Sequence, residues 1–316
     1  MILTDYFLST PDLTWELAVQ SGVTHGVIRL PEGDFDVTSL SQLKAVTDRF
    51  ISHGITPKIV EPLPNSLHDH IKSGDGLRDE AIEKFIHLMS NLKEVGIDTV
   101  CFNFMVHYGW TRTSDSILER GGAKVTGFSL KDFKPDGFKI SKEQVFENYI
   151  YFIKAAIPYA EKYGIKLALH PDDPPLDTLG KVPRIFTSLD NIKKGINCVN
   201  SENLGVTFCQ ACYKLMGEDL ETAISELKDK IFFVHFRNVR GNKFKFRETF
   251  HDNGEIDMAA ALSLYKKYCP DNAKNIPIRV DHVPTLAGEE SRVSGYDALG
   301  RLFAIGYLKG IDEATD

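Results

Sequence analysis

Four side chains of metal-binding type stand at the ends of four apolar segments of this chain. His170 lies in "IKLALHP", Cys209 ends "NLGVTFC", His235 lies in "KIFFVHF", and Asp281 lies in "IPIRVDH". Imidazole, thiolate and carboxylate groups together favour a divalent transition ion, and a thiolate argues against Mg²⁺ and Ca²⁺. A single His or Cys in an apolar segment usually belongs to the core, so this prediction depends on the position that all four share.

The segments that carry these residues belong to a regular alternation of strands and helices. Eight short β-type segments occur, at 2–7, 24–30, 56–62, 98–104, 165–171, 203–209, 230–236 and 276–282. The stretches between them show helical spacing of apolar residues, as in "RDEAIEKFIHLMSNLKEVG", which Gly96 ends. Eight such units predict a closed (β/α)8 TIM barrel, with an open doubly wound sheet as the alternative. In a barrel the carboxyl ends of all strands meet, which would bring the four residues together.

One segment interrupts the alternation, residues 105–140, between the fourth strand and a helix that starts near Ser141. Its glycine-rich stretch "ERGGAKVTGFSLKDF" predicts an excursion with a short hairpin over the C-terminal mouth of the barrel. A variable surface loop is the alternative. Because no linker divides the chain, residues 1–316 are predicted to form one domain.

Composition restricts the kinds of partner. The net charge is −7 and no dense cluster of Lys and Arg occurs, which argues against nucleic acid and leaves a small anionic molecule as the expected partner. No segment approaches the roughly 18 consecutive apolar residues of a membrane span. Five cysteines without scaffold spacing, and a start without a signal peptide, indicate a reduced, cytoplasmic protein.

Proton transfer needs side chains that do not bind the metal. His282, beside Asp281, is one candidate, and Tyr296 in "SGYDALGR" is another if its segment folds over the mouth. Arg112 in "GWTRT" and Arg237 in "HFRN" could each bind a carboxylate through two hydrogen bonds, or could each form a structural ion pair.

Several motifs, in their order along the chain, resemble those of the mannonate dehydratases of the UxuA type. They are "NFMVHYGWTRT", "LALHPDDPP", "GVTFC", "FVHFRNVRG", "ETFHDNGEIDM" and "RVDHV" followed by "GYDALGRLFAIGYLKG". The resemblance implies a barrel of the xylose isomerase-like superfamily and the dehydration of D-mannonate to 2-keto-3-deoxy-D-gluconate in hexuronate breakdown. It also implies Mn²⁺ or Fe²⁺ as the cofactor. A homodimer is expected by analogy with other barrels of this type.

The resemblance implies a role for each matching residue. The metal ligands would be His170, Cys209, His235 and Asp281, and the acid/base pair would be His282 and Tyr296. Arg112, Arg237 and Asn238, in the WTRT and HFRN motifs, are predicted to bind the substrate. Two roles are possible for Asp172 and Asp173 of the HPDDPP motif. They could orient the metal ligands, or they could cap the turn that follows.

The chain departs from the family pattern around these motifs, at Val106, Gly109, Val280 and Val283, and has "QACY" after Cys209. The departures leave open an isomerase, an epimerase or a dehydratase that acts on a related sugar or sugar acid, or a non-catalytic barrel that binds a sugar acid. Isomerases of this superfamily generally place glutamates at the strand ends, where this chain has His170 and Asp281. That difference favours the dehydratase.

Overall fold

The structure, a computed structural model, describes residues 1–269, 273–291 and 293–315. The predicted span of 1–316 therefore includes residues 270–272, 292 and 316, which lie outside the described part. The strands are β1 (Ile2–Phe7), β2 (His25–Ile28), β3 (Thr56–Val60), β4 (Thr99–Phe102), β5 (Ser114–Leu118), β6 (Lys124–Ser129), β7 (Lys166–Leu169), β8 (Thr178–Leu179), β9 (Val182–Pro183), β10 (Leu204–Cys209), β11 (Ile231–Phe236), β12 (Val239–Asn242), β13 (Lys245–Glu248) and β14 (Pro277–Val280). The helices are α1 (Leu13–Gln20), α2 (Leu40–Ser52), α3 (Asn65–Ser73), α4 (Arg78–Glu94), α5 (Lys142–Tyr163), α6 (Leu189–Ile196), α7 (Gln210–Met216), α8 (Leu220–Leu227), α9 (Met258–Tyr268) and α10 (Ala298–Ala314).

Eight parallel strands close into a barrel in the order β1-β14-β11-β10-β7-β4-β3-β2. The closure is made by β1, which pairs with β14 on one side and with β2 on the other. All eight segments predicted from the sequence are barrel strands, each followed by at least one helix before the next barrel strand. The predicted TIM barrel is confirmed, and the open doubly wound sheet is wrong because the strand order has no free edge.

Local sequence determines where the helices begin and end, as α5 shows. Ser141 precedes the helix and its side chain accepts a hydrogen bond from the backbone N–H of Gln144 at 3.0 Å. Gly164 ends the helix in the left-handed conformation, with a φ of 70° that a residue with a Cβ rarely adopts. The buried face of α5 includes Phe152, whose ring packs against Phe102 of β4 with centroids 5.8 Å apart. The core therefore lies between the barrel and its helices.

The excursion of residues 105–140 forms the predicted hairpin, in which β5 pairs antiparallel with β6. A second hairpin, β12 and β13, follows β11 and was not predicted from the sequence. The two hairpins join edge to edge in a sheet of order β12-β13-β6-β5, where Phe246 of β13 is in register with Phe128 of β6. A bridge between Lys124 and Thr285 ties this sheet to the segment after β14. The loops after β4, β11 and β14 are therefore held together above the barrel.

No helix in the described ranges combines the length and the apolar composition that crossing a bilayer requires. The five cysteines are free thiols, and all except Cys198 are buried.

Candidate metal centre and active site

The barrel places the four predicted ligands at the ends of four neighbouring strands. Cys209 of β10 pairs with His235 of β11, and His235 in turn pairs with Arg279 of β14. His170 directly follows β7 and Asp281 directly follows β14. All four residues therefore lie at the carboxyl ends of neighbouring strands.

The ligand atoms of these residues cluster closely. Cys209, His235 and Asp281 each offer one atom within 4.8 Å of the others, and His170 forms a second such cluster with Cys209 and Cys212. The rings of His170 and His235 have centroids 4.9 Å apart. The structure thus brings the predicted set together, while the binding of a metal by it stays a prediction.

The surroundings of the His235 ring show whether a metal would fit between the predicted ligands. Its ring is buried, and neither nitrogen forms an aligned hydrogen bond within the described part of the chain. Carboxylate oxygens of Glu61 and Asp281 lie 3.2 and 3.4 Å from Nε2 and Nδ1. Leaving a buried polar group unsatisfied is costly, so an imidazole in this setting suits an ion between the ligands. The mixed nitrogen, sulfur and oxygen donors fit a divalent transition metal.

The loop that follows His170 fixes the orientation of that ring. The Nδ1 atom lies 2.6 Å from the carbonyl oxygen of Pro171, so Nδ1–H donates there and Nε2 is left for a metal. Asp172 accepts a hydrogen bond from the backbone N–H of Phe186 at 2.8 Å. Of the two roles considered for Asp172, orienting a ligand and capping the turn, this contact favours stabilisation of the turn.

Asp173 belongs to a buried network of four charges. Its two oxygens accept hydrogen bonds from Arg112 at 2.9 Å each, and one of them also accepts from Arg237 at 2.8 Å. Glu248 accepts from both arginines, at 2.8 Å from Arg112 and 2.6 Å from Arg237. Burial alone would raise the pKa of Asp173, but the two guanidinium groups hold it well below its usual range. Arg237 also lies 3.5 Å from the sulfur of Cys209. Asp173 therefore orients the arginine that contacts this predicted ligand.

The three residues predicted to bind substrate have other partners. The side chains of Arg112 and Arg237 are 5% and 0% exposed and bind Asp173 and Glu248. Asn238 donates to the backbone carbonyls of His251 and Ile256 at 2.9 and 3.0 Å. None of the three lines the cavity at the mouth of the barrel. Their contact with substrate stays a prediction, and their observed contacts are structural.

Three residues that sequence reasoning missed, Glu61, Arg279 and Cys101, complete the surroundings of the ligands. Glu61 directly follows β3, and one of its oxygens accepts hydrogen bonds from Arg279, whose Nε and Nη2 atoms lie 3.1 Å away. Arg279 also donates to Asp281 at 2.6 Å, and Cys101 donates its thiol hydrogen to Glu61 at 3.2 Å. Burial raises the pKa of Glu61, but Arg279 and His235 outweigh it and lower the pKa to about 2. The signal was present in the sequence, because "KIVEP" places a carboxylate at a strand end.

The two predicted proton carriers lie beside the ligand cluster. The ring of His282 stacks on Trp110 of the excursion, with centroids 5.0 Å apart and planes 3° apart, and meets the ring of Tyr296 at 5.1 Å. The Tyr296 hydroxyl donates to Asp281 at 3.1 Å. His282 has a φ of 48°, which few residues other than glycine adopt and which often marks a functional site. Its Nδ1 atom is buried and has no hydrogen-bond partner among the described residues.

Burial determines the protonation states of this pair. It lowers the pKa of His282 to about 4 and raises the pKa of Tyr296 well above its ordinary value. At neutral pH the imidazole is therefore neutral and able to accept a proton, and the phenol is protonated and able to donate one.

The cavity beneath these residues has a volume of about 270 Å³. His170, His235, Asp281, His282 and Tyr296 all line it. The four departures from the family pattern, Val106, Gly109, Val280 and Val283, do not line it. The three valines are buried in the apolar core instead.

Comparison with known proteins finds one family repeatedly. The sequence model of D-mannonate dehydratase (UxuA) matches residues 13–138 and 134–316. A mannonate dehydratase of Streptococcus agalactiae serotype III is 30% identical over 95% of this chain and 93% of its own. Mannonate dehydratase 2 of Halalkalibacterium halodurans is 32% identical over 87% of each chain. The crystal structure of mannonate dehydratase from Streptococcus suis serotype 2 superposes with a TM-score of 0.89 at 28% identity, covering 100% of this chain and 93% of the other.

Proposed function

This chain belongs to the D-mannonate dehydratase (UxuA) family, and we propose that it converts D-mannonate to 2-keto-3-deoxy-D-gluconate and water. One observation carries the proposal for this chain. Three of the four groups able to bind a metal, His170, His235 and Asp281, line one cavity at the carboxyl ends of the barrel strands together with the imidazole of His282 and the phenol of Tyr296. The fourth, Cys209, has its sulfur within 4.8 Å of ligand atoms of His235 and Asp281.

The cofactor proposed is Mn²⁺ or Fe²⁺, held by His170, Cys209, His235 and Asp281. When bound, the ion supplies a Lewis acid that makes the hydrogen on the carbon next to the substrate carboxylate more acidic. The buried Nδ1 of His235, which has no hydrogen-bond partner among the described residues, and the buried sulfur of Cys209 support this assignment.

The side chains proposed to move protons are His282 and Tyr296. His282, which lines the cavity and has its Nε2 atom 3.6 Å from Asp281, takes the proton from the carbon next to the carboxylate. Tyr296 gives its hydroxyl proton to the departing 3-hydroxyl group, which leaves as water. The resulting enol becomes the ketone, and a proton passes from His282 back to Tyr296 to restore both groups. Trp110 covers one face of His282 and shields it from solvent.

The test is incubation of the purified protein, loaded with Mn²⁺, Fe²⁺ or Co²⁺, with D-mannonate. We expect a 2-keto acid, and a mass lower than that of the substrate by one water separates dehydration from isomerisation, which conserves mass. His282→Asn should retain the metal and lose about 100-fold or more in kcat. Absence of product with all three ions would reject the reaction, and undiminished turnover by His282→Asn would reject its assigned role.

The setting proposed for the reaction is hexuronate breakdown in the cytoplasm, with a small sugar acid as the partner molecule. A homodimer stays a prediction by analogy.

A further inference from the structure

Arg29 stands at the carboxyl end of β2 and lines the same cavity as the ligand cluster. Its backbone is anchored, because its N–H donates to the carbonyl of Phe7 at 2.9 Å and its own carbonyl accepts from the hydroxyl of Ser9. Its side chain is different, since it is 36% exposed and pairs with Glu32, which is 62% exposed. A fixed backbone thus presents a solvent-accessible guanidinium to the cavity.

The other arginines near the site are already committed to buried carboxylates. Arg279 also lines the cavity, but its side chain is 2% exposed and binds Glu61 and Asp281. Arg112 and Arg237 lie behind the cavity wall and share Asp173 and Glu248 between them. Breaking any of these pairs would leave an uncompensated buried charge, which is strongly destabilising. Of the two arginines that line the cavity in the described part of the chain, Arg29 is therefore the one whose guanidinium can accept a new carboxylate.

We propose that Arg29 binds the carboxylate of the sugar-acid substrate. This inference rests on the proposed function, and it assigns to Arg29 the carboxylate-binding role that the sequence motifs suggest for Arg112 and Arg237. An arginine can bind a carboxylate through two parallel hydrogen bonds, which fixes the orientation of the group as well as its position.

Binding requires Arg29 to exchange Glu32 for the substrate carboxylate, and this exchange costs little free energy. An ion pair between solvent-exposed side chains contributes little to stability, so the substrate carboxylate can readily replace Glu32. A carboxylate inside the cavity is less solvated than one on the surface, which strengthens its attraction to the guanidinium.

The position of Arg29 also suits the chemistry. Tyr6 lines the same cavity as Arg29, and its ring lies 4.8 Å from the ring of Tyr296. Tyr296 in turn contacts His282 and Asp281. A carboxylate held by Arg29 therefore lies on the side of the proton carriers. The carbon that loses its proton is next to that carboxylate, and the carbon that loses its hydroxyl follows directly.

The test compares a charged ligand with an uncharged ligand of the same shape. D-Mannonate and its amide, D-mannonamide, are titrated calorimetrically into the metal-loaded protein in a His282→Asn background, where turnover is suppressed. Arg29→Met should weaken binding of D-mannonate by about 10- to 100-fold and leave binding of D-mannonamide within about twofold. Arg29→Lys keeps the charge but not the planar fork, so its loss should be intermediate.

A matched control is Arg78→Met, which removes an arginine that pairs with Asp79 and does not line the cavity. It should bind both ligands as the parent does. Equal binding of D-mannonate by the parent and by Arg29→Met would overturn the proposal, as would an equal loss for both ligands.

Binding is measured without turnover, so the two proposals fail separately. Binding of D-mannonate that depends on Arg29, with no product from the unsubstituted enzyme, would reject the reaction and keep Arg29 as the carboxylate site. Product formation with binding independent of Arg29 would reject the role of Arg29 alone. Absence of D-mannonate binding to the parent protein would overturn both.

Discussion

At the scale of single residues, His235 has a carboxylate on each side of its ring. Glu61 lies 3.2 Å from Nε2 and Asp281 lies 3.4 Å from Nδ1. Asp281 belongs to the proposed ligand set and Glu61 does not. We therefore propose that Glu61 favours the tautomer with its proton on Nε2, which would leave Nδ1 for a metal. Partners of this kind orient a ligand and increase its basicity.

We therefore expect Glu61→Gln to weaken binding of Mn²⁺ by about 10- to 100-fold, because an amide attracts the Nε2 proton less strongly than a carboxylate. Competition titration against a chelating dye measures the affinity. Glu119→Gln, which removes another buried carboxylate that pairs with Arg247, should leave the affinity unchanged. An unchanged affinity in Glu61→Gln would show that Glu61 does not support the ligand.

The sequence predicted the metal-binding groups because each stands at a strand end, where barrel geometry imposes convergence. It did not predict the partners of Arg112 and Arg237, because Asp173 and Glu248 come from other segments of the chain that only the fold brings together. Arg29 and Glu61 were missed for another reason. Both directly follow strands, but neither has the imidazole or thiolate group on which the prediction of a metal site was based.

At the scale of elements, the segment between β14 and α10 places Gly295 against the imidazole of His282, the proposed base. Gly295 has a φ of 87°, and a Cβ at this position would lie 3.0 Å from Nδ1 of His282. The carbonyl of Gly295 also accepts a hydrogen bond from the backbone N–H of Val283 at 2.8 Å. The segment thus fits closely over His282 because this position has no side chain.

Gly295→Ala should lower kcat by about 10- to 100-fold with an unchanged metal content, because the methyl group displaces the imidazole. Gly288→Ala is the matched control, since its φ is 88° but a Cβ there has no atom within 4 Å. Both substitutions carry a backbone strain of about 1 kcal/mol, so only contact with His282 separates them. Equal losses of kcat in the two variants would assign the effect to strain. Steady-state kinetics with metal analysis of each variant decides.

Elements were predicted to different extents. The eight barrel strands were found because apolar runs bounded by helices and glycines are a strong signal. The hairpin of β12 and β13 was not found, because its strands have four residues each and β13 depends on pairing with β6 of another hairpin. Such pairing depends on tertiary contacts that no local pattern contains.

At the scale of the whole molecule, buried neutral histidines make stability depend on pH. The side chain of His251 is buried and contacts the carbonyl of Phe236 at 2.7 Å, and burial lowers its pKa to about 4. Since the ordinary value of 6.5 applies when the chain is unfolded, the unfolded state binds the proton first as the pH falls. This contribution to stability is complete above pH 6.5 and is lost progressively down to about pH 4.

In metal-free protein, the free energy of unfolding of the wild type should therefore fall more steeply over that pH range than that of His251→Gln. The difference in slope should approach about 1.4 kcal/mol per pH unit for one proton, and it should vanish above pH 7. Urea denaturation across the pH series measures it. The exposed His53 serves as a control, since His53→Gln should give the wild-type slope. Parallel curves for the wild type and His251→Gln would contradict the prediction.

The buried network of Arg112, Asp173, Arg237 and Glu248 has a consequence for how the mouth of the barrel moves. Its two positive and two negative charges come from three different segments, which follow β4, β7 and β11. A conformer in which one segment lifts away leaves at least one charge buried without its counterpart, at a cost of several kcal/mol. Partly open states are thus much rarer than the closed state, and the three segments open and close as one cooperative unit.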